Sequence, residues 1–175
     1  MDTKMKTELA EPMAQFRLPA YDQLPDMGLY LEQITKYINQ CLQPLGCLEI
    51  TGSMIRNYVK MGLVAKPEQK LYYADQIAHV ISITILKTVL PLEYIKELFV
   101  MQRKVYPDAV AYDYLCKELE NVLLYRFGVT DAVENIGTTS TMEKEMLRSA
   151  VTSVSHIIYL NACFSYLERR KNETE

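Results

Sequence analysis

The stretch from Asp75, a candidate helix cap, to Leu86 constrains this chain most. Ile77, Ala78, Val80, Ile81, Ile83, Ile85 and Leu86 are apolar on nearly every side of a helix, and a helix of that kind is stable only when neighbours cover it all round. The flanking segments have the periodicity to supply those neighbours. Before it, Met27, Tyr30, Leu31, Ile34, Tyr37, Ile38, Cys41 and Leu42 recur at three- and four-residue steps until Pro44 and Gly46, as an amphipathic helix does. A shorter helix is expected from a Thr51 cap to Gly62, with Met54, Ile55, Tyr58 and Val59 inward. After it, Pro91 opens a helix with a single stripe of Leu92, Ile95, Leu98 and Phe99, and Pro107 with Asp108 opens another that runs to about Phe127 and closes at Gly128. Ser140 with Glu143 fits a capping box for a long last helix through about Lys171.

Six helices follow, with the segment Leu63 to Tyr73 (LVAKPEQKLYY) between the second and third. Its polar, Pro-containing tip between apolar ends predicts a short hairpin, a wing with two brief strands. Pro12, Pro19 and Pro25 predict an extended arm over residues 1–25. The expected organisation is therefore arm, a helical module over 26–104, and a helical C-terminal portion over 105–175, all-α in class. At 175 residues and 49% hydrophobic, with 6 Gly and 7 Pro, such a chain buries about 70% of its extended surface without staples. Four cysteines without a C-x-x-C, and no apolar leader at the start, point to a reducing cytoplasm. Ser149 to Leu167 is free of charge, yet Thr152, Ser153, Ser155, His156, Asn161 and Ser165 would need partners inside lipid, which argues against a membrane span.

Catalysis has little to build on. His79 and His156 are the histidines available as bases; the first lies in the all-apolar helix and the second in the uncharged one, the ordinary place for a structural imidazole. The cysteines lack zinc spacing with either, and no glycine-rich phosphate loop is present. Acidic pairs such as Glu118 with Glu120, or Glu143 with Glu145, read as solvated helix faces. No enzyme, metal or cofactor is expected.

Charge is distributed more tellingly than it sums. The chain carries 19 basic and 22 acidic residues, a net −3. From Ile50 to Ala74, Arg56, Lys60, Lys66 and Lys70 face only Glu68, a local +3, so the remainder holds −6. Those cations fall on the second helix and the wing, where they suit a phosphate backbone; an ordinary solvated face has a similar composition.

The run Ile55-Arg56-Asn57-Tyr58-Val59-Lys60-Met61-Gly62-Leu63-Val64 resembles the recognition-helix pattern of MerR-type transcription regulators, I-R-x-Y-x-x-x-G-L-[LIV]. Lys70-Leu71-Tyr72 then occupies the place of that family's wing R-x-Y, Asp75-Gln76-Ile77 the start of its third helix, and Leu92-Glu93-Tyr94-Ile95-Lys96-Glu97-Leu98 its L-x-x-I-K-x-L helix. This likeness spans about residues 50–100. Taken whole, from MAQFRLPAYDQLPDMGLYLEQITKYINQ onward, the chain is more closely similar to an uncharacterised bacterial YkrK-like family, a domain of unknown function. The MerR resemblance implies a winged helix-turn-helix that binds double-stranded DNA, with Arg56 and Tyr58 of the second helix at the major groove and Lys70 and Tyr72 supplied by the wing. For Tyr58 and Tyr72 a place in the core competes evenly. Ser53 and Asn57 can hydrogen-bond phosphates or base edges, and Lys60 and Lys66 add charge. The chain departs from the pattern in its stretched turn QPLGCLEIT, in Lys70 for the wing arginine, which loses the bidentate fork, and in a missing glycine around Thr88 to Leu90. Nothing after about Lys104 resembles a known effector domain, so no ligand is implied.

The expected function is thus DNA binding for transcription control, and the alternative is a non-catalytic protein-interaction module on a winged-helix fold that no longer binds DNA. Val151, Val154, Ile158, Ala162 and Ser165 share one side of the last helix and suit the core, which leaves Ile157, Tyr159, Leu160 and Phe164 to be covered by a second copy in a homodimer or by the protein's own bundle.

Overall fold

The computed structural model describes residues 3–137 and 139–172. Among them are seven α-helices: α1 (Thr3–Gln15), α2 (Leu31–Leu42), α3 (Gly52–Lys60), α4 (Ala74–Leu86), α5 (Leu92–Arg103), α6 (Asp108–Arg126) and α7 (Met142–Asn172), with single 3-10 turns at Tyr21–Gln23 and Gln43–Leu45. The fold is all-helical, with no strand among the described residues. As the sequence predicts, α4 is the hub: Ile77, Val80, Ile81, Ile83, Ile85 and Leu86 are fully buried, and α2, α5, α6 and α7 all pack against it. Its buried hydroxyls are satisfied within the helix, Ser82 donating to the Ala78 carbonyl at 2.8 Å and Thr84 to that of Val80 at 2.7 Å, the usual device for a polar side chain on a covered helix.

Local chemistry sets the helix ends. Thr51 Oγ1 accepts from the Met54 amide at 3.3 Å to start α3, and Gly62 and Gly128 take φ of +71° and +74° just past α3 and α6, where a side chain would be strained. Two expected caps shift. The α4 cap is Tyr73, whose N–H donates to Gln76 Oε1 at 2.6 Å, while Asp75 instead accepts from the Tyr21 hydroxyl. At α7 the cap is Thr141, which accepts from the Lys144 amide at 3.4 Å, and Ser140 donates to Glu145 rather than closing a box with Glu143.

Three larger expectations are corrected. Of the arm expected over residues 1–25, the described residues 3–25 are not extended, since they hold α1 and a 3-10 turn and bury Leu9, Met13, Phe16, Leu18 and Leu24. Met5, Leu9 and Met13 recur every fourth residue, and that stripe outweighs the single amide Pro12 removes from α1. The segment is tied to α6 by backbone donors, Leu18 to Glu120 Oε1 and Tyr21 to Asp113 Oδ1, both at 2.7 Å. One hydrophobic cluster runs from Leu9 to Tyr166 through all three expected portions.

The wing is a turn without strands. Glu68 and Leu71 exchange both backbone hydrogen bonds, at 3.0 and 2.8 Å, around Gln69 and Lys70, which carry φ of 49° and 71°. Positive φ at both central residues marks a type I′ hairpin turn. The stem then pairs backward in the chain, where Leu29 and Tyr72 exchange both bonds at 2.8 Å. Gly28 lets these segments meet, because a Cβ there would lie 2.7 Å from Leu71 Cβ.

The acidic pair on α6 is not a solvated face either. Glu118 is fully buried and its Oε1 accepts from Arg148 Nε of α7 at 2.6 Å, while its Oε2 has no partner. On α7, Val151, Val154 and Ile158 enter the core as expected, but Ser165 is exposed. Tyr159 is half-covered by an edge contact with Phe127 at 5.2 Å and the Arg126 guanidinium at 4.3 Å. Leu160 and Phe164 stay 51% and 63% exposed, so the bundle does not cover the last helix on all sides. No helix among the described residues is long and apolar enough to cross a membrane.

Candidate nucleic-acid interface

Only nine residues long, α3 turns Ile55 and Tyr58 into the core. That register leaves Ser53, Arg56, Asn57 and Lys60 exposed together on the opposite side, at the three- and four-residue steps of one helix face. Lys66 and Lys70 are exposed on the segment that follows. The two pieces adjoin, for the Arg56 charge reaches the Tyr72 phenol and partly offsets the upward push that burial gives its pKa. Among the described residues no carboxylate lies within ion-pair distance of Arg56, Lys60, Lys66 or Lys70, so the face keeps its positive charge.

The rest of the fold holds this face in place. Asn39 of α2 donates to the Ile50 carbonyl and accepts the Ile50 amide, both at 2.9 Å; this two-point clamp fixes the stretched turn between α2 and α3. Gly52 allows the close approach of the two helices, since a Cβ there would stand 3.3 Å from Leu31. Lys96 of α5 donates to the Met61 carbonyl at 3.1 Å, which satisfies and neutralises the C-terminal end of α3. Gln76 donates to the Lys66 and Ala65 carbonyls at 3.0 and 3.4 Å and anchors the start of the turn segment. Lys96 is the lysine of the L-x-x-I-K-x-L stretch; the sequence flagged the motif without this role.

Two expected interface residues are elsewhere. Tyr58 is 2% exposed and Tyr72 4%, so both belong to the core, the reading that competed with a DNA-facing one. The Tyr58 hydroxyl is buried without a hydrogen-bond partner, and burial raises its pKa. Sequence reasoning also passed over Lys87, whose ammonium donates to the Glu49 carbonyl at 3.2 Å beside α3 and whose pKa burial lowers. Acidic groups border the face as well. Glu68 is exposed on the turn, and Glu32 and Lys36 of α2 share a shallow groove with Ser53 and Arg56.

The histidine of α4 has a structural setting. Arg103 Nη2 lies 2.9 Å from His79 Nε2, the Asp108 carboxylate 3.4 Å from it, and the Phe99 ring at 5.3 Å between centroids. Burial, ahead of all other influences, lowers its pKa. The four cysteines are free thiols, and no cluster of three or more metal-ligating side chains exists among the described residues.

The molecule is thus an all-helical domain with a basic helix face and an adjoining basic turn. The chain belongs to the family of a domain of unknown function, DUF1836, whose model matches residues 19–115, more than half of its length. No curated protein and no solved structure matches it.

Proposed function

We propose that the protein is a DNA-binding transcriptional regulator of MerR-like winged helix-turn-helix type, with α2 and α3 as the helix pair and the Glu68–Leu71 turn as a minimal wing. One observation carries this reading: Arg56 and Lys60 share an exposed face with Ser53 and Asn57, next to Lys66 and Lys70, and among the described residues no carboxylate lies within ion-pair distance of these four cations. The cations dock on the phosphates of double-stranded DNA, and Ser53 and Asn57 reach base edges or phosphates. No catalysis and no cofactor enter the mechanism, and its setting is the reducing cytoplasm. Two copies joined through the exposed apolar side of α7 present two α3 helices to a palindromic site.

A second reading, a protein-interaction module on the same fold, draws support from Glu68 and Glu32, which interrupt the positive strip. Titration with duplex DNA at two or more salt concentrations separates them. About four phosphate contacts give a log–log slope of about −4, because each neutralised phosphate releases counterions. Absence of binding in low salt overturns the DNA reading and leaves the module.

A further inference from the structure

Away from the basic face, α4, α5, α6 and α7 line a partly open cavity of about 120 Å³. Its wall is mostly apolar, formed by Leu86, Leu98, Phe99, Ala111, Leu115 and Leu147. An engineered apolar cavity of about 150 Å³ stays dry and takes up benzene, so this one has the size for a single small ring.

The polar groups around it select the rest of the ligand. Asp108 is already engaged, accepting from Gln102 at 3.1 Å and from Arg103 Nε at 3.2 Å on each oxygen. His79 is held by the same arginine at 2.9 Å, and burial keeps it neutral. Lys144 differs from both. Its ammonium stands 5.3 and 5.2 Å from the centroids of the Tyr106 and Tyr114 rings and donates to the Thr139 carbonyl and hydroxyl at 3.3 and 2.7 Å. All of these partners are neutral, no carboxylate lies within ion-pair distance among the described residues, and an ammonium has three donors. Lys144 also shares a hydrogen bond with the Tyr106 phenol, so what it keeps at the cavity wall is an ammonium charge met only by neutral partners.

We propose that this cavity binds a small aromatic monocarboxylate of benzoate size, with its ring against Leu98, Phe99 and Leu115 and its carboxylate on Lys144 Nζ. An amine in the carboxylate's place would face the Lys144 charge. A dianion would meet Asp108 and Glu143, which also line the cavity. The site is independent of the DNA reading and stands or falls by itself.

Calorimetric titration of the full chain with benzoate, benzyl alcohol and benzylamine at neutral pH tests it. Benzoate should bind at least about tenfold tighter than the other two, since a charge-assisted hydrogen bond contributes about that factor. Lys144→Gln should remove this advantage and leave benzyl alcohol unchanged. Ala111→Leu, which fills the cavity, should abolish binding of both while a thermal melt reports a folded protein. No binding of any of the three at millimolar concentration overturns the site. Benzoate affinity that survives Lys144→Gln overturns the carboxylate assignment, and binding that survives in folded Ala111→Leu overturns the location.

Discussion

Arg56 and Tyr58 are two positions apart on α3 and have opposite fates. Arg56 is exposed and unpaired by any carboxylate among the described residues, whereas Tyr58 is buried with an unpartnered hydroxyl. Arg56→Ala should weaken duplex binding by about 1 to 3 kcal/mol with little change in melting temperature. Tyr58→Phe removes a buried polar atom that has no hydrogen bond to lose, so its melting temperature should hold or rise and its DNA affinity stay unchanged. A loss of DNA affinity in Tyr58→Phe would return that phenol to the interface. His79 supplies the pH dependence at this scale. Its folded pKa lies below the ordinary 6.5 because burial disfavours the imidazolium. The neutral ring thus contributes stability that is fully present above pH 6.5 and is lost as pH falls below it, while the unfolded chain takes up the proton first. Between pH 7.5 and about 5, wild type should lose more melting temperature than His79→Gln, and parallel losses in the two would remove His79 as the cause.

At the scale of the element, α1 and α7 raise different questions about what a helix face requires. The apolar stripe of α1 is met by α6 and α7 of the same chain. Leu9→Ala should therefore cost about 2 to 5 kcal/mol of stability, as a buried leucine does, and a denaturant melt indistinguishable from wild type would restore the free arm. On α7 the stripe of Val151, Val154 and Ile158 is met by the chain's own core, but Leu160, Phe164 and Leu167 remain exposed on its distal half. If a second copy covers them, sedimentation at micromolar concentration should give a dimer that Phe164→Glu turns into a folded monomer. A wild-type monomer would remove two-fold presentation of α3. Ile157 is a poorer site for this test because it is already half-buried, and a charge there would damage the monomer as well.

Across the whole molecule, a single cluster from Leu9 to Tyr166 joins α1, the basic α3 and the long α6–α7 pair, so the basic face is carried by the same core that holds the C-terminal helices. The sequence by itself determined the helices whose apolar spacing is regular and whose ends carry Thr, Pro or Gly: α3, α4, α5 and α6 are legible in it, and α2 from Leu31 onward, whereas Met27 and Tyr30, counted in its stripe, precede the helix and are exposed. The exposed cations are legible too, because a lysine or arginine off the apolar stripe has nowhere to go but solvent. Only the tertiary structure decided the rest. Pro12 hid α1 because a local breaker outweighs a short stripe until the surface that buries the stripe is known. Tyr58 and Tyr72 could face either way, since an aromatic with a polar tip suits core and interface alike. Glu118 reads as solvated until Arg148, thirty residues away, arrives to pair with it. The stem of the turn needed Leu29, and the cavity needed four helices at once. In each case the deciding partner is distant in sequence, and periodicity, which sums only over neighbours along the chain, carries no information about it.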